Sequence, residues 1–213
     1  MTFSLKKEII RKSVHALTVI ILVIYWFVLQ KYNKQTALLT LTGILLVFII
    51  FEYIRIERRT HIPMVSSLWK HTRRAKERNR FGGDIFILVG SILALSIFDL
   101  RIAFAVILMT TFGDLAAALI GKRFGKTWIA QMQDRAWEGI IAEFGVNIII
   151  GIIIFFIPIL PEPELIFSLK PWLIILIMSA VATFVETVIY KIDDNLVIPL
   201  FAGTAGQLTH LLS

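Results

Sequence analysis

Five acidic residues sit in or beside apolar runs, where chemistry rather than solubility must explain them. Asp114 interrupts TFGDLAAALIGKRFGK (111–126), Glu143 lies in GIIAEFGVNIII, Glu186 in ATFVETVIY, and Asp193 and Asp194 in KIDDNLVIP. An ionisable side chain at membrane depth costs several kcal/mol unless it is paired or hydrated, so Asp114, Glu143, Glu186 and His15 are functional candidates by default. Asp114 needs a cation, and two physical choices exist: a bound Mg²⁺ or a neighbouring Arg or Lys. Mg²⁺ takes oxygen ligands and is commonly held by one or two carboxylates plus substrate phosphates, so Asp114, Asp193 and Asp194 form a candidate metal set. A polar turn with Asp-Asn as a helix N-cap would give the same KIDDN pattern.

Cations cluster beside these acids. Lys122, Arg123 and Lys126 follow Asp114, Arg135 lies in DRAWEG ahead of Glu138, and Arg11 and Lys12 precede His15 in RKSVH. Gly121, Gly125, Lys126 and Thr127 imitate the end of a P-loop, but the spacing is one residue short. A P-loop also needs a preceding strand to aim backbone amides at phosphate, whereas here an apolar helix precedes. The glycines and cations could still cradle a polyphosphate, or they could be topology-setting charges with Gly121 as a helix C-cap. Gly113, Ala117 and Gly121 recur every fourth residue, which lets a neighbouring helix approach closely. Glu143 and Asn147 share one helix face at i, i+4, and Thr204, Gln207 and His210 share another as a polar seam.

The elements that must position these residues are membrane helices. Of 213 residues, 57% are hydrophobic, and the mean hydropathy is +0.81, far outside soluble norms. The apolar blocks run about 18 to 22 residues, the length that crosses a bilayer core at 1.5 Å per residue. Seven spans are expected, near 13–30, 36–54, 84–98, 101–121, 139–159, 172–190 and 195–212. The fold class is an all-α polytopic transmembrane bundle forming a single domain over 1–213. A basic segment near 55–83 is too polar to span, and suits either a helix on the cytosolic interface or a solvated loop.

A cytosolic N-terminus places four Lys and Arg before the first span, nine in 55–80, four in 122–135 and Lys191 inside. Only Lys31, Lys34, Arg101 and Lys170 then face outward, as the positive-inside rule requires. The same bias accounts for the net charge of +7 without a nucleic-acid partner. With no cysteine, disulfides, thiolate metal sites and cysteine nucleophiles are excluded. The N-terminal run imitates a signal peptide but lacks a small-residue cleavage site, so it reads as a retained helix.

RKSVH, GDLAAALIGKRFG followed by EG, and ETVIYKIDDNLVIPL together resemble the dolichol kinase and phytol kinase family, which includes a CTP-dependent diacylglycerol kinase of yeast. The resemblance runs in order from about residue 8 to 205, and a distant similarity links the family to CDP-diacylglycerol synthases. It implies an enzyme that moves the γ-phosphate of a nucleoside triphosphate, commonly CTP, to the hydroxyl of a membrane lipid such as a polyprenol.

Residue by residue, the family's basic motif falls on Arg11, Lys12 and His15, its glycine-aspartate on Gly113 and Asp114, and its glycine-phenylalanine-glycine on Gly121, Phe124 and Gly125. Its acidic pair with asparagine falls on Asp193, Asp194 and Asn195, ahead of Pro199, with Glu186 upstream. Arg135 and Ala136 stand where relatives often have lysine and serine, so the charge is kept and a hydroxyl is lost. The assignment expected is Mg²⁺ on Asp114 with Asp193 or Asp194, and an acid or His15 to take the lipid's proton. Arg11, Lys12, Gly121, Lys122, Arg123, Gly125, Lys126, Arg135, Glu138 and Asn195 are expected around the nucleotide. A cytidylyltransferase attacking the α-phosphate, or a transporter using a Gly/Pro-broken last span, are the alternatives.

Overall fold

The computed structural model describes residues 16–58, 81–129, 132–156, 158, 160, 169–189 and 192–213. Arg11, Lys12 and His15, and most of the basic segment, lie outside the described residues. Those described form seven helices and one short hairpin. In chain order they are α1 (Ala16–Lys31), α2 (Lys34–Arg58), α3 (Gly83–Ile97), α4 (Leu100–Phe124), β1 (Trp128–Ile129), β2 (Met132–Ala136), α5 (Trp137–Phe156), α6 (Leu169–Val188) and α7 (Asp194–Leu212). Each expected span overlaps one of these helices. Lys34–Ile54 within α2, and the whole of α4, α5 and α6, are long and apolar enough to cross a membrane, while α1 and α3 are shorter apolar helices.

The chain divides into two compact units, Met1–Ile92 and Leu93–Ser213. In the first, α1 and α2 form an antiparallel pair across a tight turn. Asn33 caps α2, its Oδ1 accepting from the Thr36 backbone N–H at 2.8 Å, which satisfies one of the helix's orphan donors. The second unit carries every candidate site residue that the structure describes.

In that second unit α4 and α5 run antiparallel and share the most extensive contact. Gly139 has no room for a side chain, since a Cβ there would lie 2.7 Å from the Ala117 carbonyl and 3.1 Å from Gly121 Cα. Gly113 likewise faces Asn147 and Glu143. The Gly113, Ala117, Gly121 row therefore does serve close helix approach, as its spacing predicts. At the other end of the pair, Arg101 near the start of α4 donates to the carbonyls of Ile154, Phe155 and Leu160. It thereby satisfies acceptors that the end of α5 leaves open.

Two expectations are corrected by local packing. Gly121 is not the helix C-cap: α4 continues through Lys122, Arg123 and Phe124, and the Gly125 N–H closes the end on the Gly121 carbonyl at 3.0 Å. Nor is the last helix broken at its glycines and proline; Asp194–Leu212 is continuous with Pro199 buried inside it. Gly203 and Gly206 receive the Phe98 ring and the Met178 side chain, so they are packing sites rather than a gap for a solute. Gln207 and His210 reach Asp99: Gln207 Nε2 donates to Asp99 Oδ2 at 2.7 Å, and His210 Nε2 stands 3.6 Å from the same oxygen. The seam read from their spacing is thus a hydrogen-bonded tie at the far end of α7.

The hairpin is an addition to the all-helical expectation. Its strands pair antiparallel with a bulge after Trp128, and the Trp137 N–H donates to the Thr127 carbonyl at 3.0 Å. It folds the stretch after α4 back toward the start of α5. Ala136 is 3% exposed and packs against the Gly125 and Gly121 backbone.

Candidate functional site

Three helices, one strand and one helix start bring the acids together. Arg135 on β2 donates from Nη1 to Glu186 Oε1 on α6. Glu143 of α5 lies within electrostatic reach of Glu186. Asp114 on α4 and Asp194 at the start of α7 lie within electrostatic reach of Glu186, and Asp194 also of Arg135. Burial disfavours the charged form of Arg135, but the nearby Glu186, Asp194 and Glu143 outweigh it and hold its pKa above the ordinary value.

The arrangement follows from helix direction. α5 and α6 are antiparallel, so residue numbers rise on one as they fall on the other: Glu143 meets Glu186, Asn147 Nδ2 donates to Thr183 Oγ1 at 3.2 Å, and Gly151 faces Ile175. Ser179, Thr183 and Glu186 stand on one face of α6 at i, i+4 and i+7. Thr183 and Ser179 are members of this seam that the sequence reading passed over. Their spacing relative to Glu186 is the signal that would have found them.

Three carboxyl groups, Glu186, Asp194 and Glu143, act on one guanidinium, and Asp114 acts on all three of those acids. Unbalanced negative charge at the edge of a membrane is costly, so the site is suited to protons and to a cationic ligand. Among the described residues no three acidic or histidine side chains converge closely enough to hold a metal ion by themselves. A donor set of one or two carboxylates, completed by phosphate oxygens, is the form in which Mg²⁺ is usually held. The residues fit that use.

The two neighbouring aspartates differ. Asp193 caps α7, its Oδ1 accepting from the Asn195 backbone N–H at 3.1 Å and from Asn195 Nδ2 at 2.9 Å. Asp194 is the one that interacts with Glu186, Asp114 and Arg135. Asn195 is therefore held by Asp193, beside the acids. Glu138 has a comparable local role: its Oε1 accepts from the Lys126 and Thr127 backbone N–H groups at 3.0 and 3.2 Å. Those two amides, the ones a P-loop would offer to phosphate, are occupied by the protein's own carboxylate.

Lys122, Arg123 and Lys126 are exposed. Lys122 is eight residues beyond Asp114, about 12 Å along the helix, near the end of α4. Phe124, Trp128 and Trp137 are exposed around them, the aromatic composition expected at a membrane interface.

Two curated yeast proteins are similar to this chain. Both are named CTP-dependent diacylglycerol kinase 1. The Saccharomyces cerevisiae protein is 25% identical over 151 residues, covering 69% of this chain and 50% of that protein. The Schizosaccharomyces pombe protein is 26% identical over 134 residues, 61% of each. The chain thus spans between half and two thirds of the relatives it matches. No protein-family profile matches it, and no solved structure does.

Proposed function

We propose that this chain is a CTP-dependent lipid kinase, embedded in the bilayer by seven helices with its N-terminus and charged end in the cytosol. The observation that carries this reading is the part-buried Arg135–Glu186 pair set beside Asp114 and Asp194, where the apolar helices end and exposed cations begin. The similarity to two proteins named as CTP-dependent diacylglycerol kinases and the distribution of Lys and Arg support it. Diacylglycerol is the first acceptor to test, with polyprenols as the second.

Phosphoryl transfer asks a protein mainly for positioning and charge stabilisation. Asp114 and Asp194 would hold Mg²⁺, which when bound neutralises phosphate charge. Lys122, Arg123 and Lys126 draw the triphosphate to the membrane edge from water, the Gly121 and Gly125 backbone lets it approach, and Asn195 is held ready by Asp193 to contact it. Arg135 pairs with Glu186 beside the reacting groups. Arg11, Lys12 and His15 belong to the same proposed site on the strength of the family resemblance.

The decisive experiment incubates purified protein with Mg²⁺, a lipid alcohol, and CTP labelled at either the α- or the γ-phosphate. Transfer of the γ-label alone to diacylglycerol or a polyprenol is expected. Transfer of the α-label to a lipid phosphate would instead make the chain a cytidylyltransferase, and transfer of neither would sink both readings.

A further inference from the structure

The lipid-kinase reading leaves a seam of buried polar atoms without a use. Glu143, Asn147 and Glu186 are 1%, 0% and 2% exposed. Yet Glu143 Oε2, Asn147 Oδ1 and Glu186 Oε2 have no hydrogen-bond partner, and neither does Ser179 Oγ, two turns from Glu186 on α6. Each such atom costs about 1–3 kcal/mol, and native chains keep few of them without a ligand or water to satisfy them. Between membrane helices the hydrocarbon supplies neither.

We propose that this seam is the lipid-alcohol subsite of the kinase, resting on that reading of the chain, with Glu143 holding the reacting hydroxyl and taking its proton. The chemistry of the orphaned atoms selects the occupant. The carboxylate and amide oxygens are acceptors, so the group they want is a donor. A phosphate offers mainly acceptors and negative charge, which Glu143 and Glu186 would repel, so neither the triphosphate nor a lipid phosphate suits the seam. A bare cation is disfavoured because no three acids converge on one point among the described residues. A neutral alcohol fits, because its O–H satisfies a carboxylate while its chain remains among apolar helices.

Position supports the same assignment. Glu143 stands between the acids of the charged end and Asn147, which is one turn, about 6 Å, deeper. Asn147 is held in place by Thr183 and by the absence of a side chain at Gly113. An alcohol arriving from the hydrocarbon side would pass Asn147 and present its oxygen at Glu143, with the nucleotide on the far side. In the transfer the alcohol's O–H bond breaks and its proton goes to Glu143. A bond forms from the alcohol oxygen to the γ-phosphorus, and the bond from that phosphorus to the bridging oxygen breaks to release CDP. Glu186 already accepts from Arg135, so Glu143 is the partner free to receive the proton.

The test uses the full chain in lipid nanodiscs with γ-labelled CTP and diacylglycerol or a polyprenol. Glu143→Gln should lower kcat about 100-fold, the scale of lost general-base catalysis, with the KM for CTP unchanged. Asn147→Ala should raise the KM for the alcohol about tenfold and leave that for CTP alone. Rates within twofold of wild type in both variants, or effects confined to the KM for CTP, would overturn the subsite. A wild-type protein that labels no alcohol would sink the kinase reading itself. Should either variant fail to fold, wild-type protein is photolabelled with diacylglycerol bearing a diazirine on the acyl chain next to the glycerol. Labelled peptides within 143–151 or 175–186 are expected, and labelling confined elsewhere overturns the proposal.

Discussion

Gly113 on α4 lies directly against Asn147 on α5: a Cβ at position 113 would stand 2.6 Å from Asn147 Oδ1 and 3.2 Å from Glu143 Cγ. The glycine beside Asp114 therefore sets how near the seam on α5 can come to the acid on α4. Packing and site are coupled at this residue.

Gly113→Ala should destabilise the protein by about 1–3 kcal/mol, the cost of overpacking a tight contact. Thermal unfolding in detergent would measure it. Adding Asn147→Ala should recover much of the loss, because the two changes share one contact and are not additive. Additive losses would show that the two helices do not meet here.

Arg135→Gln removes the charged partner of Glu186, whose side chain is 1% exposed. Breaking such a pair on one side leaves an uncompensated buried charge, and a loss of about 3 kcal/mol is expected. The double change Arg135→Gln with Glu186→Gln should regain stability without regaining kinase activity. Equal stability of the single and double variants, by denaturant unfolding, would contradict the pairing.

Glu138→Ala should release the Lys126 and Thr127 amides that the carboxylate now holds. Hydrogen exchange at those two positions is expected to rise while α4 and α5 stay protected. The KM for CTP should rise with it, because the basic loop loses its fixed position. Unchanged exchange at both amides would rule out the tie.

Asp114→Asn should abolish Mg²⁺-dependent transfer, a loss of at least about 100-fold, while Asp193→Asn, which keeps a side-chain oxygen for capping, should retain most activity. Chelation with EDTA should stop wild-type turnover, and Mg²⁺ should restore it. A fully active Asp114→Asn variant would remove this aspartate from the metal site. An inactive but folded Asp193→Asn variant would give Asp193 a chemical role beyond its cap.

The elements were legible because their causes are local. Apolar runs of membrane-crossing length must be helices, since hydrocarbon leaves backbone groups no other partners, and four of the described helices are long and apolar enough to cross a membrane. The four-residue recurrence of Gly113, Ala117 and Gly121 pointed to close packing for the same reason: which residues share a helix face depends only on 3.6 residues per turn. The hairpin was harder to see. Two short strands in a charged connection leave little alternation to read, and their pairing depends on how α4 and α5 present their ends.

By itself, then, the sequence determined the helices, the gathering of acids and cations near one set of helix ends, and the family resemblance. Only the tertiary structure decided partners. Arg135 meets Glu186 across 51 residues, Glu143 meets Glu186 because α5 and α6 are antiparallel, and Asp193 caps a helix while Asp194 interacts with the acids. The Glu138 carboxylate, read as a nucleotide contact, holds the basic loop. A side chain's periodicity is set by its own backbone, but its partner is set by the register between helices, which no local pattern encodes.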